Sequence, residues 1–515
     1  MRLSGVDTIA FVSYIAVVVV VSLTASRQKE HTEGYFLAGR NLSWWLIGLS
    51  LIASNISTEH LVGMSGKGFE LGLAIASFEW IAAVALVPVA LVLLPRFLER
   101  RIYTLPEYLE WRYNSTARAI MAFYLMVLYV LAAMAGILYT GGLALEGIFG
   151  VNLYYGVWGI GLLTGAYTVY GGLKAVVWSD LIQGLTLLAG GTLVFVLGLD
   201  KVGGFSNFLA VNADKLHMVL PLDHAEMPWS IFALGIWIPN ICYWGLNQFI
   251  TQRVLAAKDL AAGQRGILFA AFLKLWIPFI AVLPGIMAHQ LYGEEIAKGD
   301  HAYAYFVQEL LPPGLHGIMF AALLGAVMSS LDSMLNSAST IFTIDLYGRY
   351  LAGAHATDKD LVRIGRWATA SFVTIACLVA PELRHMGSIY DYMQSAWNFI
   401  WPGTLAVFAM GILSKKTTAS AAVLGLIASV PLYAVFLAIL EGQYLNASAL
   451  AALCTFILVI VTSHVFPVSP KEPVPPKEAV QSQSEFKEFF VGSPSIKIAS
   501  LVIIMCTTSL YIFFW

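Results

Sequence analysis

Residues 50–68 read SLIASNISTEHLVGMSGKG. The stretch opens like an apolar membrane span and then breaks its own pattern. Ser54, Asn55, Ser57, Thr58, Glu59 and His60 come almost consecutively, and Gly63, Gly66 and Gly68 follow. A continuous lipid-facing helix of that content would hold several costly polar groups in hydrocarbon. An interrupted helix is expected instead. Its freed carbonyls and side-chain oxygens can coordinate a small cation, and such backbone is tolerated only against protein or a water-filled cavity. The stretch is therefore a candidate binding site.

The rest of the chain supplies the membrane context. Its 515 residues are 59% hydrophobic and only 12% charged, with a mean hydropathy of +0.76, which belongs to a polytopic protein of the lipid bilayer. The net charge of −2 comes without any long basic run, so no nucleic-acid partner is expected. Cys242, Cys377, Cys454 and Cys506 sit in apolar stretches at unrelated spacings and read as packed thiols rather than a disulfide framework or metal site. The first apolar run, Ile9 to Leu23, lacks a basic start and a cleavage site and reads as a retained span. There is no nucleotide loop, metal cluster or nucleophile with its base, so an enzyme is not expected and no catalytic residue is assigned.

A crossing takes about 20 apolar residues, and that window gives about fourteen spans. They fall near 7–25, 44–66, 73–95, 119–147, 153–171, 175–199, 228–251, 266–288, 315–343, 366–382, 389–413, 418–440, 446–466 and 496–514. Basic residues gather in alternate connections: Arg27, Lys29 and Arg40; Arg96, Arg100, Arg101, Arg112 and Arg118; Arg253, Lys258 and Arg265; Arg349, Lys359, Arg363 and Arg366; Lys415 and Lys416. The positive-inside rule makes those loops cytoplasmic and puts both termini on the extracellular or periplasmic side of a cell membrane. The Pro- and charge-rich stretch 468–488 reads as a cytoplasmic linker.

A second interrupted span, WIPNICYWGLNQ at residues 237–248, lies five spans after the first. Broken helices in corresponding positions of two five-helix halves point to an inverted repeat with a midplane site. The expected organisation is a first helix and loop (1–43), a first repeat (44–199), an extracellular loop (200–227), a second repeat (228–413) and three last helices (414–515).

Ser329, Asp332, Ser333 and Asn336 fall on one helical face and offer the oxygen ligands an alkali cation takes. The alternative is small-residue helix packing, against which an intramembrane carboxylate weighs. Asp180 is either an interfacial charge or a partner in a second cation site. Glu79 and Lys274 each lie several residues inside an apolar helix, where they can pair or hold a hydroxylated ligand, with His60 and Gln394 adding hydrogen bonds. Phe78, Tyr243, Trp244 and Tyr390 are either packing or a platform for the apolar face of a sugar ring.

The motifs NISTEHLVGMSG, GLAIASFEW, TVYGGLKAVVWSDLIQ, YWGLNQFITQRVLAAK and SSLDSMLNSASTIFTIDLY resemble the sodium:solute symporter family, and within it the sodium/glucose cotransporter branch. The resemblance runs from about residue 35 to 416. It implies an all-α protein of fourteen transmembrane helices with a leucine-transporter-type 5+5 inverted repeat that works by alternating access with co-transported Na+. Matching positions imply a sodium site of the Ala53, Ile56 and Ala326 carbonyls with the Ser329 and Ser330 hydroxyls, and a second cation site at Asp180, Ser329, Asp332 and Ser333. They imply sugar contacts from His60, Glu79, Asn240, Lys274 and Gln394, with Trp244 beside them. Tyr243, hydrogen-bonded by Asn55, would be an inner gate, and Met64, Phe78 and Tyr390 would close the outer face. The chain departs from the family pattern at Asp332, where members often have a neutral residue, so the ion count and any proton coupling stay open. It also has His60, Ala82 and Ala133 where galactose carriers of the family have Gln, Ser and Asn. The expected function is sodium-coupled uptake of a monosaccharide such as glucose or galactose, and the lost polar contacts also suit a deoxysugar. The alternatives are a symporter for fucose, inositol, sialic acid or an amino acid, or a sodium- or sugar-gated sensor; the oligomeric state is left open.

Overall fold

A computed structural model describes residues 4–25, 31–57, 59–224, 226–352, 356–386, 389–467 and 489–515. Among these every regular element is a helix. The linker expected at 468–488 and the side chain of Tyr390 lie outside the described residues.

Among the described residues, eleven helices are long and apolar enough to cross a membrane. Their starts are set by local side-chain caps: Asn114 accepts from the Ala117 amide, Asn152 from Tyr154, Asp259 from Ala262 and Thr418 from Ala421, each satisfying an orphan donor of the first turn. Burial sorts the helices into core and rim. Leu315–Leu351 and Leu73–Glu99 are 89% and 72% buried over their most apolar windows, whereas Gly5–Ala25 and Pro494–Phe513 are 11% and 22% buried. On the rim, Ile9, Ile439 and Ile512 are exposed, the disposition of side chains that meet lipid rather than water.

Both expected interruptions are present. The Trp44–Asn55 helix stops at Ile56 and Ser57, and the chain resumes through a wide turn, Glu59–Met64, into the Ser65–Leu71 helix. The second break separates Trp237–Gly245 from Gln248–Leu255 at Leu246 and Asn247. The long Leu153–Lys201 run is itself divided at Gly172, where φ is +55° and a Cβ would collide with the Tyr35 carbonyl, so only glycine fits the turn between its two halves. Gly285 lets Leu260–Tyr292 approach Ser65 so closely that a Cβ would overlap that carbonyl.

Several residues differ from their expected settings. Arg253, assigned to a basic loop, is 1% exposed and lies in the Gln248–Leu255 helix. Arg118 is likewise buried: it donates to Asp345 at 2.7 Å and to Glu110 at 2.6 Å. Both are ends of helices that continue into protein rather than loops that meet water, so their charges are paired. Asp180 is fully buried and not an interfacial charge. Of the cysteines, Cys242 and Cys377 are packed as expected, but Cys506 is exposed, because the last helix turns that side outward.

The Arg118 cluster gives a stability prediction. Asp345 also accepts from Thr104 at 2.8 Å, tying three segments together. Asp345→Ala leaves a buried guanidinium with Glu110 and the Ile344 carbonyl as its remaining partners and should cost about 3 kcal/mol. A lowered unfolding temperature in detergent, smaller for Asp345→Asn, is the expected reading; an unchanged midpoint would show the cluster to be energetically idle.

Candidate substrate and cation sites

The local chemistry of the first break frees carbonyl oxygens. In a continuous helix the Ser57 amide would donate to Ala53 and the His60 amide to Ile56. Instead Ser57 N donates to His60 Nδ1 at 3.4 Å, and His60 N donates to the Ser57 carbonyl at 3.1 Å. One hydroxyl of the Leu315–Thr340 helix already meets this carbonyl end: Ser330 Oγ donates to the Ser54 carbonyl at 3.1 Å.

Beside the break, Lys274 Nζ donates to Asn55 Oδ1 and to Glu79 Oε2. Glu79 Oε1 lies 3.4 Å from His60 Nε2, which fits a proton on Nε2 because Nδ1 is accepting. Lys274 is 1% exposed and its ammonium stands 5.0 Å from the centroid of the Trp244 ring, a cation–π contact. These side chains line a cavity of about 100 Å³. Met64 and Phe78 line it from the side of the first break, Asn240, Tyr243 and Trp244 from the second, and Gln394, Trp397 and Trp401 from the two helices beyond. Asn240 Nδ2 is held by the Ile236 carbonyl at 2.8 Å. Tyr243 packs edge-on against Trp244 and Phe249, with centroids 5.4 and 5.5 Å apart.

A second polar cluster lies away from that cavity, between the Trp44–Asn55, Leu153–Lys201, Gln248–Leu255 and Leu315–Thr340 helices. Asp180 accepts from Ser50 at 2.5 Å, from Ser54 at 3.1 Å, from Arg253 at 3.1 Å and from Ser329. Arg253 also donates to Ser50 at 2.6 Å and to Ser333. Asp332 accepts from Tyr167 at 2.6 Å, Ser179 at 3.1 Å and Ser333 at 3.2 Å. Two buried carboxylates lie near one guanidinium, so neutrality in a site without water contact needs one more positive charge, either a proton on one acid or a cation.

Each expected sugar residue thus meets the cavity. Of the expected cation residues, Asp180, Ser329, Asp332 and Ser333 are joined by hydrogen bonds, and Ser330 reaches the Ser54 carbonyl at the first break. Asn336 does not join them; among the described residues its buried amide has no partner. Sequence reasoning missed Arg253, Ser50, Tyr167 and Ser179, which no periodicity singles out because they come from three different helices. It also missed Trp397 and Trp401, which stand at helical spacing from Gln394 but are aromatic residues of a kind common in membrane spans.

The profile of the sodium:solute symporter family matches residues 35–429. The chain is similar to the sodium/glucose cotransporter of Vibrio parahaemolyticus, at 39% identity over 100% of this chain and 99% of the relative. It is also similar to sodium/myo-inositol cotransporter 2 of Sus scrofa, at 32% identity over 82% of this chain and 68% of the relative. Among solved structures, a Na+-coupled sialic acid symporter in a substrate-bound outward-open state matches with a TM-score of 0.81, covering 90% of this chain and 99% of that one. At 23% identity that likeness is one of fold.

Proposed function

The chain belongs to the sodium:solute symporter family, and from that premise we propose that it imports a monosaccharide together with Na+ by alternating access. The observation that carries this reading is the cavity at the meeting point of two broken helices, where a buried Lys274–Glu79–His60 group faces aromatic rings. The arrangement offers hydrogen bonds to sugar hydroxyls and flat surfaces to the C–H face of the ring.

The architecture fits fourteen spans. The eleven long helices, Leu153–Lys201 divided at Gly172, and the two interrupted helices account for them. In this reading 44–199 and 228–413 are the two five-helix repeats, 200–227 is an outer loop, and both termini face outward. The burial of Arg118 and Arg253 removes those two from the orientation argument, which the other basic residues of the same connections carry.

Sodium binds to the freed carbonyls of Ala53 and Ile56, the Ala326 carbonyl and the hydroxyls of Ser329 and Ser330, bridging the broken helix and its neighbour. A second cation sits with Asp180, Ser329, Asp332 and Ser333. Sugar is held by His60, Glu79, Asn240, Lys274 and Gln394, with Trp244 alongside. Asn55 and Tyr243 form an inner gate, and Met64, Phe78 and Tyr390 an outer one. Because the ion ligands come from the end of the broken helix and from its neighbour, sodium favours the state in which Asn55 and His60 are placed for sugar, and coupling follows from that difference in affinity. Each charge moved inward contributes about 2.3 kcal/mol per 100 mV.

The direct test is uptake into proteoliposomes of glucose, galactose, fucose, inositol and sialic acid, with and without an inward sodium gradient. Accumulation of a sugar above equilibrium only with sodium supports the reading; sodium-dependent binding without accumulation would make the protein a sensor. Ser330→Ala should raise the sodium concentration for half-maximal uptake roughly ten-fold or more, the usual scale for losing one ligand to a charge. Unchanged sodium activation would remove Ser330 from the site.

A further inference from the structure

The wall of the cavity built by Trp397 and Trp401 is more selective than a generic sugar platform. The two indoles stack 5.5 Å apart at an interplanar angle of 11° and are each almost wholly buried. Trp397 continues into Tyr129 and Phe249, at 5.8 and 6.4 Å between centroids. Tyr129 is fixed in turn by a hydrogen bond to Asn247 and accepts the Phe249 amide at 3.2 Å. The wall is therefore held from behind and does not swing aside for a larger or more polar group.

The chemistry of this wall is one-sided. An indole donates through Nε1 and accepts nothing, and Ala82 and Pro239, which line the same cavity, have no polar side-chain atom. Asn55 Oδ1 and Glu79 Oε2 already receive Lys274, and Gln394, three residues before Trp397, supplies the amide acceptor on that side of the cavity. A sugar hydroxyl resting on the indole faces themselves, beyond the reach of Gln394, would keep its hydrogen without an acceptor in a site shielded from water, a desolvation that is not repaid. A methyl group there would gain ring contact and lose nothing.

We propose that the sugar taken by this cavity is a 6-deoxyhexose, its methyl group seated on the Trp397–Trp401 wall and its hydroxyl edge on Glu79, Lys274 and His60. The inference rests on the reading of the cavity as the sugar site of a symporter. A rigid pocket distinguishes ligands that differ by such a group by about ten- to a hundred-fold.

The experiment is competition between matched pairs in proteoliposomes under an inward sodium gradient: galactose against fucose, mannose against rhamnose and glucose against 6-deoxyglucose, each in both enantiomers. The deoxy member of the accepted pair should compete at a concentration at least about ten-fold lower than its parent. Trp397→Gln, which adds an acceptor, should narrow that gap, while Trp397→Phe should preserve it. If the glutamine variant does not reach the membrane, the wild-type competition decides alone. Sodium-driven uptake in which the parent hexose competes equally or better overturns this proposal and leaves symport standing. Sodium-driven uptake of none of these sugars overturns both.

Discussion

Glu79→Ala is expected to abolish sodium-driven sugar uptake and, independently, to lower stability by about 3–5 kcal/mol. The two effects share one cause. Glu79 and Lys274 are 3% and 1% exposed and are paired with each other, so removing the carboxylate leaves an ammonium in a water-poor cavity with only the Asn55 carbonyl oxygen and the Trp244 ring beside it. An uncompensated buried charge is far more costly than a missing pair. The double variant Glu79→Gln with Lys274→Met separates the consequences, since it restores neutrality without restoring the hydroxyl contacts. Its unfolding temperature in detergent should recover toward that of the native protein while uptake stays lost. If Glu79→Ala instead transported sugar with native affinity, the pair would be a structural fastening and the sugar would bind elsewhere in the cavity.

The pair also illustrates how far the sequence could be read. Glu79 and Lys274 were visible because a charge inside an apolar helix needs a partner, and few candidates existed. The two broken helices were visible for a related reason: glycine, proline and amide residues interrupt an otherwise apolar run. Arg253 was not visible, because it stands near the end of a span, where an arginine normally meets water. Only the packing of four helices around it makes it the counter-ion of Asp180. Trp397 and Trp401 were hidden differently. An aromatic in a membrane span is ordinary, and nothing local distinguishes a ring that packs against a neighbour from one that faces a ligand. The spans 153–171 and 175–199 were separable by hydropathy, and the φ of +55° at Gly172 shows how the chain turns between them.

Arg253 changes what is expected of the two buried carboxylates near it. Asp180→Ala takes away the acid that Arg253 contacts directly at 3.1 Å, and since Arg253 is 1% exposed the loss should lower stability by about 3–5 kcal/mol. Asp332→Asn acts otherwise. Its amide oxygen can still accept from Tyr167 and Ser179, and the remaining Asp180–Arg253 pair is neutral, so folding should survive. What disappears is the net negative charge that draws a second cation. The ion-to-sugar ratio should then fall by about one. At 100 mV each co-transported charge contributes about 2.3 kcal/mol, so its loss lowers the attainable sugar gradient roughly forty-fold. The measurement is the membrane voltage at which sugar flux reverses in proteoliposomes of fixed sodium and sugar gradients, for native protein and variant. A reversal voltage that moves as one fewer sodium requires places the second ion at Asp332. If a proton occupies that position instead, the native reversal voltage will follow an imposed pH gradient and the variant's will not. A voltage indifferent to the substitution and to pH assigns Asp332 to helix packing, with Tyr167 and Ser179 as its permanent partners.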